Sequence, residues 1–211
     1  QAFTIVAAMG VGDNVMIIRT DAFPRLYDPK AKPVAMGSVS GQPRSGMQMN
    51  LWGHKYLGWN TRWVVGYPGS TDLMIAMERG EIDMTSFPRG YVIDKLNDTS
   101  KFKILYLDGL DKDAPKSGRA DADNAPLFTD AMDGKIQDPK YLAAYNYWRA
   151  SKVFKWVALP PKTPPAITDA YRKAFADTIA DPEFETQSKN TLESFTVITP
   201  DRALDMIRTL A

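Results

Sequence analysis

A chain of 211 residues, 44% hydrophobic and 24% charged, is long enough for one ordinary domain or two small lobes around a real core. Its 26 Lys+Arg against 25 Asp+Glu leave a net charge of +1, which offers neither the basic stripe of a nucleic-acid binder nor attraction to an anionic membrane. The absence of cysteine excludes disulfides, thiolate metal sites and a cysteine nucleophile, and Ser-His-Asp chemistry would have to run through the one histidine, His54.

Short apolar runs alternate with helical patterns from the start of the chain. Strands are predicted at Ala2-Ala7, Asn14-Arg19, Pro33-Gly37, Thr61-Gly66, Ile82-Thr85, Phe102-Asp108, Phe154-Leu159 and Ser194-Ile198, each rich in Val, Ile or aromatics and bounded by Gly, Pro, Asn or Asp. Helical patterns between several of them point to an α/β sheet with crossover helices. Met47-Trp52 is compatible with a helix. Ser70-Thr71-Asp72 opens a helix with its apolar face at Leu73, Met74 and Met77 and its stop at Gly80. Asp111-Asn124 is nearly devoid of apolar residues and is expected to be a solvated loop. Tyr141-Arg149 is aromatic-rich and helical. Thr163-Pro164 caps a helix carrying Ile167, Tyr171, Ala174, Phe175 and Ile179 at helical spacing. Asp181-Pro182 and Thr199-Pro200 start two more, the last with Leu204, Ile207 and Leu210 on one face. No apolar run has the length of a membrane span. Gln1 is not a translation start, so an upstream leader, segment or tag is expected, and no signal peptide precedes the first strand.

Three stretches could carry chemistry. In Val64-Val65-Gly66-Tyr67-Pro68-Gly69-Ser70-Thr71-Asp72 a strand runs through a Pro-Gly turn into a helix, aiming free N–H groups at one spot suited to a carboxylate or phosphate. The competing reading is a plain connection in which Ser70 or Thr71 caps its own helix. In Gly37-Ser38-Val39-Ser40-Gly41-Gln42-Pro43-Arg44-Ser45-Gly46, small residues permit close backbone approach. Ser38, Ser40, Gln42 and Ser45 offer donors there, and Arg44 could pair with a carboxylate; the competing reading is a flexible surface loop. In Asp83-Met84-Thr85-Ser86-Phe87-Pro88-Arg89-Gly90, Ser86 could line the same crevice, whereas Arg89 is expected at the surface. Glu78, Glu81 and Asp83 read as a solvated face. His54 has no acid partner or ligand cluster, so it is expected to be structural or superficial. No P-loop, dinucleotide fingerprint, zinc spacing or nucleophile elbow is present, and no cofactor or metal is implied.

VVGYPGSTDLMIAMERGEID, at Val64-Asp83, resembles the receptors of tripartite tricarboxylate transporters, the Bug or TctC-like periplasmic solute-binding proteins. Their Gly-Tyr-(Pro/Lys)-Gly-(Ser/Thr) turn is followed by a helix and an Arg-Gly-Glu-(Ile/Val)-Asp-like ending. Pro33-Ser45, Lys103-Leu107 and Val157-Ile179 with Asp181-Pro182-Glu183-Phe184 resemble further segments of that family in the same order. The resemblance implies an α/β, type II periplasmic-binding-protein-like fold. One lobe would be complete at 18–153, and 1–17 with 154–211 would supply hinge strands and the C-terminal part of the other. Asn14-Arg19 and Phe154-Leu159 would be the hinge strands, and the family's N-terminal segment has no counterpart here.

The resemblance further implies a periplasmic, non-enzymatic protein that captures a small organic carboxylate for membrane transporter subunits and does not itself span the membrane. Its ligand-binding residues would be Ser38, Ser40, Gly41, Gln42, Arg44, Ser45, Tyr67, Pro68, Gly69, Ser70, Thr71 and Ser86, with Arg44 a departure from the family's Gly-Thr/Ser-rich helix start. Two other classes stay open: the effector domain of a transcription regulator, which needs an upstream helix-turn-helix, and an enzyme on the same fold, for which no nucleophile, base or metal set is evident.

Overall fold

A computed structural model describes residues 3–11, 14–39, 41, 47–108, 120–150, 153–190 and 197–210. The chain divides into two units: Asp13–Tyr141, and Gln1–Gly12 with Leu142–Ala211. These cuts differ from the 17/18 and 153/154 divisions expected from sequence. Asn14–Arg19 is paired along both edges inside the sheet of the first of these units, which places it there.

The Asp13–Tyr141 unit contains β2 (Asn14–Arg19), β3 (Val34–Ser38), β4 (Thr61–Val65), β5 (Met84–Pro88) and β6 (Phe102–Leu107) in the order β4-β3-β5-β2-β6. β3 runs parallel to β4 and β5, whereas β2 is antiparallel to both β5 and β6. The C-terminal ends of β3, β4, β5 and β6 therefore share one edge with the first residue of β2. Three helices follow the parallel strands: α1 (Gln48–Tyr56), α2 (Ser70–Arg79) and α3 (Arg89–Lys95). Each begins at that same edge, the usual consequence of right-handed strand–helix–strand crossovers.

Residues of alternating strands bury against these helices. Val15, Ile17, Phe87, Phe102 and Ile104 join Leu73, Ala76 and Met77 of α2 and Val92 of α3 in one apolar cluster. Gly37 is required here: a Cβ would come within 2.4 Å of Ile82 Cδ1 and 2.7 Å of Leu73 Cδ2. Elsewhere in the unit, Trp59 stacks on Tyr106 and lies against Phe128, and a Cβ on Gly53 of α1 would fall 1.9 Å from the Trp59 ring.

The end of the sheet away from the helix starts is tied by polar groups. Asp83 accepts the Ala35 N–H at 2.8 Å and pairs with Arg25 at 3.0 Å, while its own N–H donates to Ala35 O. It is thus not the solvated carboxylate that its acidic neighbourhood suggested, because pairing of β3 with β5 brings it onto a buried amide. α2 ends at Gly80 as expected, in the left-handed conformation at φ 76°. Arg19 donates to Met77 O in that last turn and grips Asp21 through Nε and Nη2. The stretch expected to be solvated contains a helical turn, α4 (Ala120–Asp123), held by burial of Ala122; residues 109–119 lie outside the described residues. A second turn, α5 (Phe128–Ala131), buries Phe128. α6 (Pro139–Ala150) crosses from one unit to the other.

The other unit holds β1 (Thr4–Val11), β7 (Val153–Leu159) and β8 (Val197–Ile198), an antiparallel sheet of order β7-β1-β8. α7 (Pro165–Ile179), α8 (Pro182–Asn190) and α9 (Pro200–Leu210) complete it. The register of β1 against β7 shifts between Ile5 and Ala7, and Arg172 of α7 donates to the Ile5 carbonyl at 3.1 Å. Asp181 and Thr199 cap their helices as the sequence predicts, by accepting from Glu183 N and Arg202 N. Thr163 does not: its hydroxyl donates to Pro160 O, and Pro164 precedes the first helical residue. Ile167 and Tyr171, expected on a packed face of α7, are exposed; among the described residues of that helix only Thr168 is buried.

Candidate functional site

The Gly66–Asp72 turn leads from β4 into α2 as the sequence suggests, without a side-chain cap from Ser70 or Thr71. Gly66 has φ 102°, a conformation that a side chain would strain, and it turns the chain out of β4. Tyr67 packs against the apolar cluster of the unit, and desolvation, with the Glu81 charge, raises its hydroxyl above the ordinary value. The N-cap of α2 is Gly69, in extended conformation and making no side-chain cap bond. Neither Ser70 nor Thr71 caps the helix. The first-turn N–H groups of α2 therefore have no side-chain acceptor, and they carry the positive end of the helix dipole. The carboxylate of Asp72 lies beside this turn, with Oδ2 3.6 Å from where a Gly69 Cβ would be, and partly offsets that charge.

On the neighbouring strands, Ser38 closes β3 and Ser86 lies in β5. The pairing of Met36 with Met84 puts Ser38 and Ser86 side by side on one face, two residues further along each strand. Both are buried. Ser38 Oγ lies 3.7 Å from Met47 Sδ, and Ser86 Oγ is 3.3 Å from Asn50 Oδ1. Gly41 is exposed, with open space where a Cβ would stand. Ser40, Gln42, Arg44 and Ser45 lie outside the described residues. The structure thus brings Ser38 and Ser86 together on adjacent strands, and places Gly66–Thr71 at the end of the next strand along.

Three groups at this edge escaped the sequence reading. Arg89, expected at the surface, is 8% exposed at the start of α3; the turn out of β5 at Pro88 carries it inward. Its planar guanidinium fork is of a geometry suited to a carboxylate. Asn50 is fully buried in the first turn of α1. Asn14 and Asp108 meet where β2 begins and β6 ends: the Asn14 backbone N–H and side-chain amide both donate to Asp108 Oδ2, at 3.2 and 3.3 Å. Among the described residues the buried polar side chains are Asn14, Ser38, Asn50, Thr85, Ser86, Arg89, Asp108 and Thr168, and all but Thr168 belong to this one unit. Buried polar groups are costly unless satisfied, so such a gathering at one sheet edge makes that edge the candidate site. Asn50 carried no distinctive signal, because Gln48 is a second amide in the same stretch of Met47, Met49, Leu51 and Trp52. For Arg89 the signal was the Ser86-Phe87-Pro88 strand end directly before a helix.

His54 is exposed, and its Nδ1 lies 2.5 Å from Thr61 Oγ1, a surface pairing as expected. Among the described residues there is no group of three or more His, Cys, Asp or Glu placed to hold a metal ion, and no helix long and apolar enough to cross a membrane.

Among solved structures, a TctC solute-binding protein from Polaromonas superposes with a TM-score of 0.65 at 13% identity, covering 99% of this chain and 67% of that one. The chain has the fold of the TctC/Bug-type periplasmic solute-binding proteins. The periplasmic binding protein BugD matches at TM-score 0.58 and 15% identity, over 99% of this chain and 66% of its own. R. palustris Rpa4515 with adipate matches at 0.60 and 14%, over 100% of this chain and 66% of its own. The chain thus spans about two thirds of the length of each of these three structures. No family model and no curated protein matches the sequence.

Proposed function

We propose that this chain is a solute-binding receptor that captures a small organic carboxylate for a tripartite tricarboxylate-type transporter in the periplasm. The observation that carries the reading is the uncapped first turn of α2, opening at the sheet edge where the buried polar side chains gather. In open α/β sheets ligands bind at the carboxyl ends of the strands, and a helix start without a cap is a carboxylate site. Arg89 adds a buried fixed cation at the same edge. The fold shared with a TctC solute-binding protein, and with Rpa4515 solved with adipate, supports the same reading. The Asp13–Tyr141 unit is read as the ligand-binding lobe and the other unit as part of the second lobe. Ser38, Ser40, Gly41, Gln42, Arg44, Ser45, Ser86 and Tyr67 to Thr71 are its proposed contact residues. The role is binding and delivery; no catalytic residue is assigned.

A thermal-shift screen of the 211-residue chain against mono-, di- and tricarboxylates tests this. Stabilisation should rise with concentration as mass action requires, by about 2.7 kcal/mol at a hundredfold excess over Kd. Silence toward every carboxylate would sink the proposal. Gly69→Val with Ser70→Ala should abolish binding and leave the fold intact, since Gly69 is extended and its Cβ would make only an ordinary contact with Asp72. Binding that survives the pair would show that the turn is merely a connection.

A further inference from the structure

Asn50 has a feature that packing alone does not explain. The residue is fully buried, and its Nδ2 has no hydrogen-bond partner among the described residues. The other end of the amide meets Ser86 Oγ, at 3.3 Å. A buried amide nitrogen left unmade costs about 1–3 kcal/mol, so such groups persist where something else makes the bond. Rotating the amide by half a turn does not help, because one end always faces Ser86 and the other remains open.

The two orientations present the same chemistry. In one, the hydroxyl of Ser86 donates to Oδ1, leaving Nδ2 as a donor and the Ser86 lone pairs as an acceptor. In the other, Nδ2 donates to Ser86, leaving Oδ1 as an acceptor and the Ser86 O–H as a donor. Either way the pair offers both donor and acceptor capacity and no charge. A carboxylate, which only accepts, satisfies half of this. An alcohol hydroxyl, which donates and accepts at a single oxygen, satisfies all of it.

We propose that Asn50 and Ser86 form a neutral subsite that takes a hydroxyl group of the carboxylate ligand, so that the preferred ligand is a hydroxycarboxylate. This rests on the receptor reading given above. The location supports it: Asn50 lies in the first turn of α1, whose N-cap makes no side-chain bond, and Ser86 lies beside Ser38 at the ligand edge of the sheet. Met47, three residues before Asn50 and so on the same side of α1, has its sulfur 3.7 Å from Ser38 Oγ, the neighbour of Ser86. Its unbranched thioether with three rotatable bonds can adapt to a ligand there.

Calorimetric titration with matched probes tests the assignment: succinate against malate, and glutarate against 2-hydroxyglutarate. The hydroxylated member of at least one pair should bind about tenfold or more tightly, the effect of one satisfied buried bond. Asn50→Leu should erase that ratio and leave the affinity for the plain diacid within about twofold, and Ser86→Ala should erase the ratio as well. Equal affinities within both pairs overturn the subsite and leave the receptor reading standing. If no carboxylate binds at all, the receptor reading falls and takes the subsite with it. The unliganded double variant Asn50→Leu/Ser86→Ala supplies a readout independent of binding. It should be at least as stable as the parent, since two imperfectly paired groups are replaced by apolar ones. A clear fall in Tm would mean that an internal water already satisfies the pair, and would overturn the proposal.

Discussion

Replacing Asp83 by alanine should loosen the sheet from the end remote from the proposed ligand edge. Two losses add. The Ala35 N–H, on a residue only 3% exposed, loses its acceptor at 2.8 Å, which costs about 1–3 kcal/mol. The ion pair with Arg25 involves side chains 26% and 14% exposed, and is worth about 0.5–1 kcal/mol after screening. The sum is about 2–4 kcal/mol. For a urea m-value of about 2 kcal/mol/M, the unfolding midpoint should fall by about 1–2 M with m unchanged. Asp83→Asn keeps an acceptor for Ala35 and should cost about 1 kcal/mol, as should Arg25→Ala, which leaves the strand amide satisfied. Urea unfolding with amide exchange at Ala35 separates these cases. An Asp83→Ala protein within about 0.5 kcal/mol of the parent would refute the latch. Carboxylate affinity should not change in any of the three, because Asp83 precedes β5 and the site lies beyond its other end.

Three further outcomes follow from the packing and the titrations. Gly53→Ala drives a Cβ into the Trp59 ring and should lower stability by about 1–3 kcal/mol, measured as a drop in Tm with loss of Trp59 fluorescence character. Gly37→Ala should cost a similar amount by crowding Ile82 and Leu73, and restoring space with Ile82→Val should recover part of it. Burial, with a hydrogen bond to Tyr27, pushes the Tyr106 hydroxyl up to about 12, and burial does the same for Tyr145. The unfolded chain ionises these groups near their ordinary value, so the folded state holds its advantage below pH 10 and loses it as pH rises from 10 to 12. Ultraviolet titration of tyrosinate should show these two rings ionising last, and Tyr106→Phe should remove one of the late steps.

Strand positions were readable because β-branched clusters bounded by turn residues are local signals; Asn14-Arg19 matched β2 residue for residue. The turn at Gly66-Asp72 was readable for the same reason, since left-handed glycine and helix start are consecutive in sequence. α3 was missed: Pro88 and Gly90 look like breakers, and seven residues carry too little periodicity to outweigh them. Asp83 and Arg89 were misread because burial of a charged residue is decided by which strand or helix turn delivers it. Nothing in GEIDM or FPRGY states that. The Asn50–Ser86 pair lay furthest from reach. Its members are 36 positions apart, and only the docking of α1 on β5 joins them.

The pairing of β1 with β8, Ala8 against Ile198, has a consequence for synthesis. The first strand of the chain leaves the ribosome long before the residues that complete its sheet, and the Arg172 that reaches its Ile5 carbonyl comes 167 positions later. The whole sheet of the Asp13–Tyr141 unit, complete once β6 has emerged, can form in that interval. β1 must wait as an unpaired, valine- and alanine-rich strand, the kind of edge that invites aggregation. The same order lets the inserted unit close the long loop in advance. The two distant segments then meet across a folded unit rather than across an open chain.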